Sequence, residues 1–466
     1  MFLYTNHITP RLEYMAHWLG TRLFGTALQI CTDKENLARP GWVLNYTSKP
    51  LDDIESFWIN PHPLLFQSGI SPQSVEVKTK DGLSYFFETG GDHHFDVLAA
   101  SFYLIQRYEE YLPHTKDMYG RYAHENSLAF RNNFLHWPLV DLWINELRDK
   151  IQGSRIKDQA PGVKRQAFSF VPTFDIDIAY SYRGKGFIRN LAGVARSFGQ
   201  WQLLKERWYV LLGKQQDPFD IFNELDALHQ EYDLEPIYFF LMANKRVGYD
   251  KNIPPATQEM KNLAADIGGK YATGIHPSWQ SGDDEYLLAQ EIETLRSGIN
   301  KNIFISRQHY IRMQLPETYQ RLISHGIIED HSMGYGSING FRGSSCVPYY
   351  WYDLQTEQTT PLKIVPFCYM EANSIFEQKH TPAQALEELK QYHDVVKKVG
   401  GTLSTIFHNH LIGMDENGRK WMDMYTKFLK YLFEENSSLL QFRKHVIVNF
   451  CSRHWQDGSC PTSQST

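Results

Sequence analysis

From Phe168 onward the chain alternates short apolar runs with longer stretches whose apolar residues recur at helical spacing. The runs FSFVPTF, PIYFFLM from Pro236, KYATGIH from Lys270, NIFISR from Asn302, GIIEDHS from Gly326, LKIVPFCYM from Leu362 and GTLSTIFH from Gly401 have the length and composition of buried strands. Seven strands separated by helices predict a parallel sheet, barrel or doubly wound, with its functional residues at the strands' C-terminal ends. Two helix starts are marked. Asp217-Pro218 offers a cap and a first-turn proline ahead of FDIFNELDALHQEY. Thr381-Pro382 does the same, with Gln384 completing a capping box and Gly400-Gly401 closing the helix.

Residues 1 to about 155 read differently. WVLNYTS near Trp42 and SVEVKTKDGLSYFFET are strand-like, the second folding back at Asp81-Gly82. Helices are expected from about Asp96 to Tyr111, with Val97, Phe102, Ile105 and Tyr108 as the apolar stripe, and from Pro138 to Ile151. The polar segment SRIKDQAPGVKRQ predicts a boundary, giving a smaller α/β domain over 1–158 and a second domain over 165–455. No catalytic constellation stands out in the first. Asp92, His93 and His94 fit a solvated Gly-Gly-Asp loop better than a metal site.

Composition narrows the class. With 42% hydrophobic and 14% aromatic residues, the 466-residue chain can fill two dense cores. A net charge of -6 argues against a nucleic-acid binder. Five scattered cysteines suit reduced thiols rather than a disulfide framework. The N-terminus lacks the apolar core of a signal peptide and no stretch reaches membrane-span length, so a cytoplasmic protein is expected. One insertion, about 181–214, carries Arg183, Lys185, Arg189, Arg196, Lys205, Arg207 and Lys214 against Glu206, interleaved with Trp201 and Trp208. Such a segment suits a phosphate-bearing ligand or an anionic membrane surface; the plainer expectation is a solvated face covering part of the barrel.

The candidate chemistry sits at the strand ends. Asp175 and Asp177 are two residues apart, so in a strand their carboxylates enter one space and need a metal ion, an Arg or a shared proton to compensate. Later strands end at His276; at Arg307, His309 and Tyr310; at Asp330 and His331, with Arg342 following; at Glu371; and at His408 and His410. Together they place acid, imidazole and guanidinium groups around one rim.

Residues from about 167 to 450 resemble the NodB-homology domain of polysaccharide deacetylases, carbohydrate esterase family 4, and the whole chain resembles two-domain proteins of that type with an uncharacterised N-terminal domain. The T-F-D-D-G motif with its D-x-D variant is similar to Thr173-Phe174-Asp175-Ile176-Asp177, R-x-P-Y to Arg307-Gln308-His309-Tyr310, and L-x-H to Ile406-Phe407-His408. The resemblance implies an irregular (β/α)7 barrel, with Asp175 as general base oriented by Arg307, His408 as general acid, and Asp177 and His276 holding a divalent metal, zinc or else cobalt or nickel. It also implies an N- or O-acetylated carbohydrate substrate, with Tyr310, Trp279 and Arg342 as contacts, and the basic insertion suits a phosphate- or lipid-linked precursor. The family's H-x-x-x-H motif departs here to His276-Pro277-Ser278-Trp279-Gln280. Gln is a poor zinc ligand, which leaves His309, His408 or a water as the replacement, or a site that holds metal weakly. The competing functional readings are a NodB-like domain that binds carbohydrate or a partner without hydrolysis, and a different C–N hydrolase on the same scaffold.

Overall fold

A computed structural model describes residues 1–38, 42–154, 167–186, 190–191, 193 and 201–435. The first region builds a four-stranded parallel sheet in the order β2-β1-β3-β4 from β1 (Phe2–Tyr4), β2 (Gln29–Cys31), β3 (Val43–Asn45) and β4 (Phe57–Trp58). Asp81 and Gly82, both with positive φ, join β5 (Lys78–Lys80) to β6 (Leu83–Tyr85) in the expected hairpin. The expected helix from Asp96 is shorter than its apolar stripe suggests. It runs Val97–Ile105 and stops because Arg107 turns left-handed to reach Glu110 (2.6 Å) and the Arg342 carbonyl. The second helix, Leu139–Gly153, falls where expected. The predicted boundary lies outside the described residues from Arg155 to Gln166.

The second sheet has nine strands: β7 (Ser169–Ile176), β8 (Ile237–Phe240), β9 (Ala272–Ile275), β10 (Ile305–Ser306), β11 (Glu329–Asp330), β12 (Tyr349–Asp353), β13 (Gln358–Ile364), β14 (Tyr369–Met370) and β15 (Thr402–His408). Their order is β12-β13-β11-β10-β9-β8-β7-β15-β14, all parallel except β12. This corrects the seven-strand expectation in two places: β12 is a further strand that no expected run covered, and the run LKIVPFCYM is two strands lying near opposite edges of the sheet. Ile364 and Tyr369 are five Cα steps apart, at most about 19 Å of chain. Seven strand spacings of a flat sheet would separate β13 from β14 by about 34 Å. The sheet therefore curls until its edges approach, and the strands' C-terminal ends gather around one mouth. No hydrogen-bonded pairing closes the gap among the described strands.

Local signals held at one helix and failed at another. Helix Pro382–Val399 carries the full capping box at Thr381 and Gln384 and ends at left-handed Gly400. The helix after Asp217 starts only at Phe222, without a side-chain cap. Asp217 instead accepts hydrogen bonds from the backbone N–H groups of Ser181, Tyr182 and Arg183, fixing the loop that leaves β7.

One continuous hydrophobic core joins both regions, with Trp143 and Leu98 in the same cluster as Tyr349 and Trp351. Buried polar links reinforce it. Gln106 bonds both the Tyr14 hydroxyl (2.7 Å) and the Tyr352 N–H (3.0 Å). Arg11 meets Glu357, and Asp141 accepts from the Cys346 N–H (2.7 Å).

Candidate functional site

Parallel strands in register deliver the key side chains to one end of the sheet. Asp175 at the end of β7 lies abreast of His408 at the end of β15. His276 follows β9 and Arg307 follows β10, with Ser306 and Ile275 in register between them. Side chains far apart in the chain thus become neighbours. Asp175 Oδ2 is 3.7 Å and Asp177 Oδ1 3.1 Å from His276 Nε2, so both acids enter one space.

Two imidazoles are oriented from behind. His276 donates Nδ1–H to the Arg307 carbonyl (2.6 Å) and His309 donates Nδ1–H to Asp250 (2.9 Å). Each Nε2 is thereby aimed at Asp177, that of His309 at 3.5 Å from Oδ2. The ligand atoms of Asp177, His276 and His309 all lie within 4.8 Å of one another. Asp177 Oδ1 is buried and makes no aligned hydrogen bond. Two nitrogens and a carboxylate, with each ring braced by a carbonyl or a carboxylate, fit a zinc-type centre with open positions. The second imidazole comes from the loop after β10, while Gln280, at the position where the resemblance expects it, is half-buried.

The charges around this triangle are paired unevenly. Burial opposes ionisation of Asp177, but His309, His276 and His408 overcome it and hold its carboxyl well below the usual range. Burial likewise disfavours the His309 imidazolium, and Asp177 together with Asp250 pushes it up to about 9 in the metal-free protein. Asp175 is bound by Arg307 Nη1 (2.7 Å), which also reaches Thr173 Oγ1 (2.7 Å). Arg307 is fully buried over the Phe239 ring, with its Nε on the His331 carbonyl (3.0 Å).

His408 is gripped by Glu371, whose oxygens lie 3.0 and 3.1 Å from Nδ1, and the nearer, Oε1, also accepts the His408 backbone N–H. Burial pulls this imidazole down, yet Glu371, Asp177 and Asp175 raise it to about 10, leaving a proton on Nε2 at neutral pH. His410 next to it goes the other way, lowered to about 3 by burial and by His408.

Part of this cluster opens onto a cavity of about 480 Å³, a size suited to a small ligand. Asp175, Asp177, His276, His408 and His410 line it, with Tyr310, Met370 and Phe376 as walls. Tyr310 and Ile311 both take left-handed backbone, φ 58° and 54°, a strained stretch at the cavity wall. Trp279 stands behind this wall, 4.4 Å from the Tyr249 ring, 6.0 Å from Tyr310 and beneath the Arg312 guanidinium.

Arg342, expected as a substrate contact, is not at the cavity. It is buried against Glu110, which accepts from Nε (2.8 Å) and Nη2 (2.6 Å), because the loop bearing it packs on the first region, where a buried guanidinium finds its carboxylate. Asp330 and His331 are also spent on support, Asp330 with Ser306 and Ser332, His331 with Glu329.

The first region contributes residues that sequence reasoning missed: Met118, Tyr119 and Arg121 line the cavity. Asp117 accepts from the N–H groups of Tyr119 and Arg121, and Arg121 donates to the Tyr310 carbonyl (2.9 Å). The Asp117–Gly120 spacing signals a turn but not what the turn touches. Asp250 and its grip on His309 carried no signal at all. The His93-His94 loop also differs from expectation, with His93 fully buried and its Nδ1 on the Phe95 carbonyl (3.0 Å).

Comparison with known proteins adds the following. Residues 1–155 match a family of unknown function (DUF7033). No curated protein sequence matches the chain. Among solved structures, a Mycobacterium smegmatis protein assigned as a polysaccharide deacetylase is similar at 15% identity and TM-score 0.38, over 58% of this chain and 85% of that one. The Puue allantoinase aligns at 14% identity and TM-score 0.35, over 60% and 90% of the two chains. The polysaccharide deacetylase Bc1974 from Bacillus cereus aligns at 9% identity and TM-score 0.29, over 57% and 88%.

Proposed function

We propose that this chain is a metal-assisted hydrolase with a NodB-type barrel that removes acetyl groups from an N- or O-acetylated carbohydrate. The observation that carries the reading is the convergence of Asp177, His276 and His309 within 4.8 Å, flanked by an Arg-bound carboxylate on one side and a Glu-bound imidazole on the other. Asp177, His276 and His309 would hold a divalent ion, zinc by donor type, with cobalt or nickel fitting the same set. Such an ion, when bound, acidifies water and polarises an acyl oxygen.

The protein's own groups do the rest. Asp175 accepts the proton of the attacking water, and Arg307 holds that carboxylate in place at the cavity. The Tyr310 backbone N–H donates to the developing oxyanion, since those of His309, Ile311 and Arg312 are held by backbone carbonyls. His408, held protonated by Glu371, gives its Nε2 proton to the departing amine or alcohol, leaving acetate and a free sugar. Tyr310 and Tyr119, with rings 5.3 Å apart, supply apolar surface for a sugar ring.

The test is acetate release from acetylated chito-oligosaccharides by zinc-loaded protein. Asp175→Asn should retain about one metal per chain and lose roughly 10²- to 10⁴-fold in turnover. The carbohydrate-binding reading takes over if metal-loaded wild type binds these sugars and releases no acetate.

A further inference from the structure

We infer that the helix Trp201–Leu211 docks the cavity's rim on an anionic phospholipid surface. The helix is amphipathic in the wrong direction for a soluble protein. Its inner side is anchored by polar groups: the Tyr182 hydroxyl donates to Glu206 (2.7 Å), Arg207 covers the Tyr182 ring at 4.6 Å, and Val210 is its buried apolar residue. Trp201, Lys205, Trp208 and Leu212 recur at i, i+4, i+7 and i+11 on the other side. There Trp201 is 75%, Trp208 62% and Leu212 50% exposed. A contiguous outward stripe of this kind marks an interaction surface rather than a solvated face.

Charge identifies the occupant. The described residues between 181 and 214 include five cations, of which Arg183 is paired with Asp220 (2.8 Å) and Arg207 lies on the inner side over Tyr182, while Lys205 in the stripe and Lys214 just past it are exposed; the single acid, Glu206, is turned inward to Tyr182. This basic segment belongs to a chain of net charge -6. Tryptophans with lysines beside them match the headgroup layer, where the rings lie at the interface and the ammonium groups meet lipid phosphates.

The position also suits the site. The insertion leaves β7 just after Asp177, and its first loop is held by Asp217. Phe219 stands 5.8 Å from His410, a cavity-lining residue. Docking there brings the mouth toward the membrane, and a lipid-linked acetylated sugar becomes the substrate class; that last step alone rests on the hydrolase reading.

The experiment is co-sedimentation of the full chain with phosphatidylcholine vesicles, with and without phosphatidylglycerol. Wild type should bind only the anionic vesicles and release at high salt. Lys205→Glu combined with Lys214→Glu should weaken binding at least about thirtyfold, from about 1 kcal/mol per surface charge. Trp201→Ala combined with Trp208→Ala should weaken it at least about tenfold. Acetate release from a soluble acetylated oligosaccharide should be unchanged in both, so failure of docking is distinct from failure of hydrolysis. Absence of wild-type binding, or equal binding by the variants, overturns the inference. So does a wild-type dimer that the tryptophan variant converts to monomer in light scattering, which would make the stripe an interface between copies. Vesicle binding by a protein inactive on every acetylated sugar leaves docking standing and removes the hydrolase reading.

Discussion

Among the described residues, two places gather two imidazoles and a carboxylate within 4.8 Å: Asp177, His276 and His309 at the mouth of the large sheet, and His93, His94 and Glu146 in the first region. Their surroundings are opposite. Behind the first stand further acids, with Asp250 on His309 and Asp175 near His276. Within the second, the Lys150 ammonium lies 2.9 Å from Glu146 and 3.5 Å from His94 Nδ1, so a fixed cation already answers the carboxylate. Titration follows: burial and then Lys150 lower His93 to about 4, whereas Asp177 lifts His309, against burial, to about 9. The same ligand inventory makes a cation site only where the surrounding charges leave a net demand for positive charge.

Mutating one imidazole in each group breaks or upholds this contrast most directly. His276→Ala should reduce bound zinc from about one per chain to none and abolish acetate release, while His93→Ala leaves both unchanged; elemental analysis of purified protein decides. Equal metal content in the two variants would erase the distinction.

The brace behind His309 comes next. Asp250→Asn keeps the shape but weakens the acceptor for Nδ1–H, and zinc affinity should fall roughly 10- to 100-fold in a competition titration.

The opposed titrations sharpen the comparison further. In the metal-free protein His309 keeps its proton below about 9, and a metal must displace it. Apparent affinity should therefore weaken about tenfold for each unit the pH falls below that value. Calorimetry at neutral pH in buffers of different ionisation enthalpy should show about one proton released per metal. Affinity independent of pH between 6 and 9, read on that ~tenfold-per-unit expectation, would place the proton elsewhere.

The smallest effect is expected in the first region. Lys150→Met removes the resident cation from the His93 group, and weak cobalt binding there should strengthen by about fivefold, the reach of one partly exposed, screened charge. The variant is best read with His276→Ala present, so that the stronger site is silent.

How far the sequence could be read depended on the range of the interaction. The hairpin at Asp81-Gly82 and the Thr381–Gln384 capping box were legible because each is closed by neighbours within a few residues. The pairing of Asp175 with Asp177 was legible too, since the two-residue period of a strand needs no partner. Asp217 shows the limit: its composition suits a helix cap, but three N–H groups of a distant loop compete for it and win.

What the amino-acid sequence determined by itself was the alternation of strands and helices, the acids ending β7, and the basic, tryptophan-bearing insertion. Tertiary structure decided the rest: that LKIVPFCYM serves strands near opposite edges of a curled sheet, that His309 rather than residue 280 lies beside Asp177 and His276, and that Arg342 is claimed by Glu110. The reason is physical. Periodicity records which side of its own element a residue occupies, whereas a ligand set or a buried ion pair is defined by the distance between elements, and only the packing of the whole chain sets that distance.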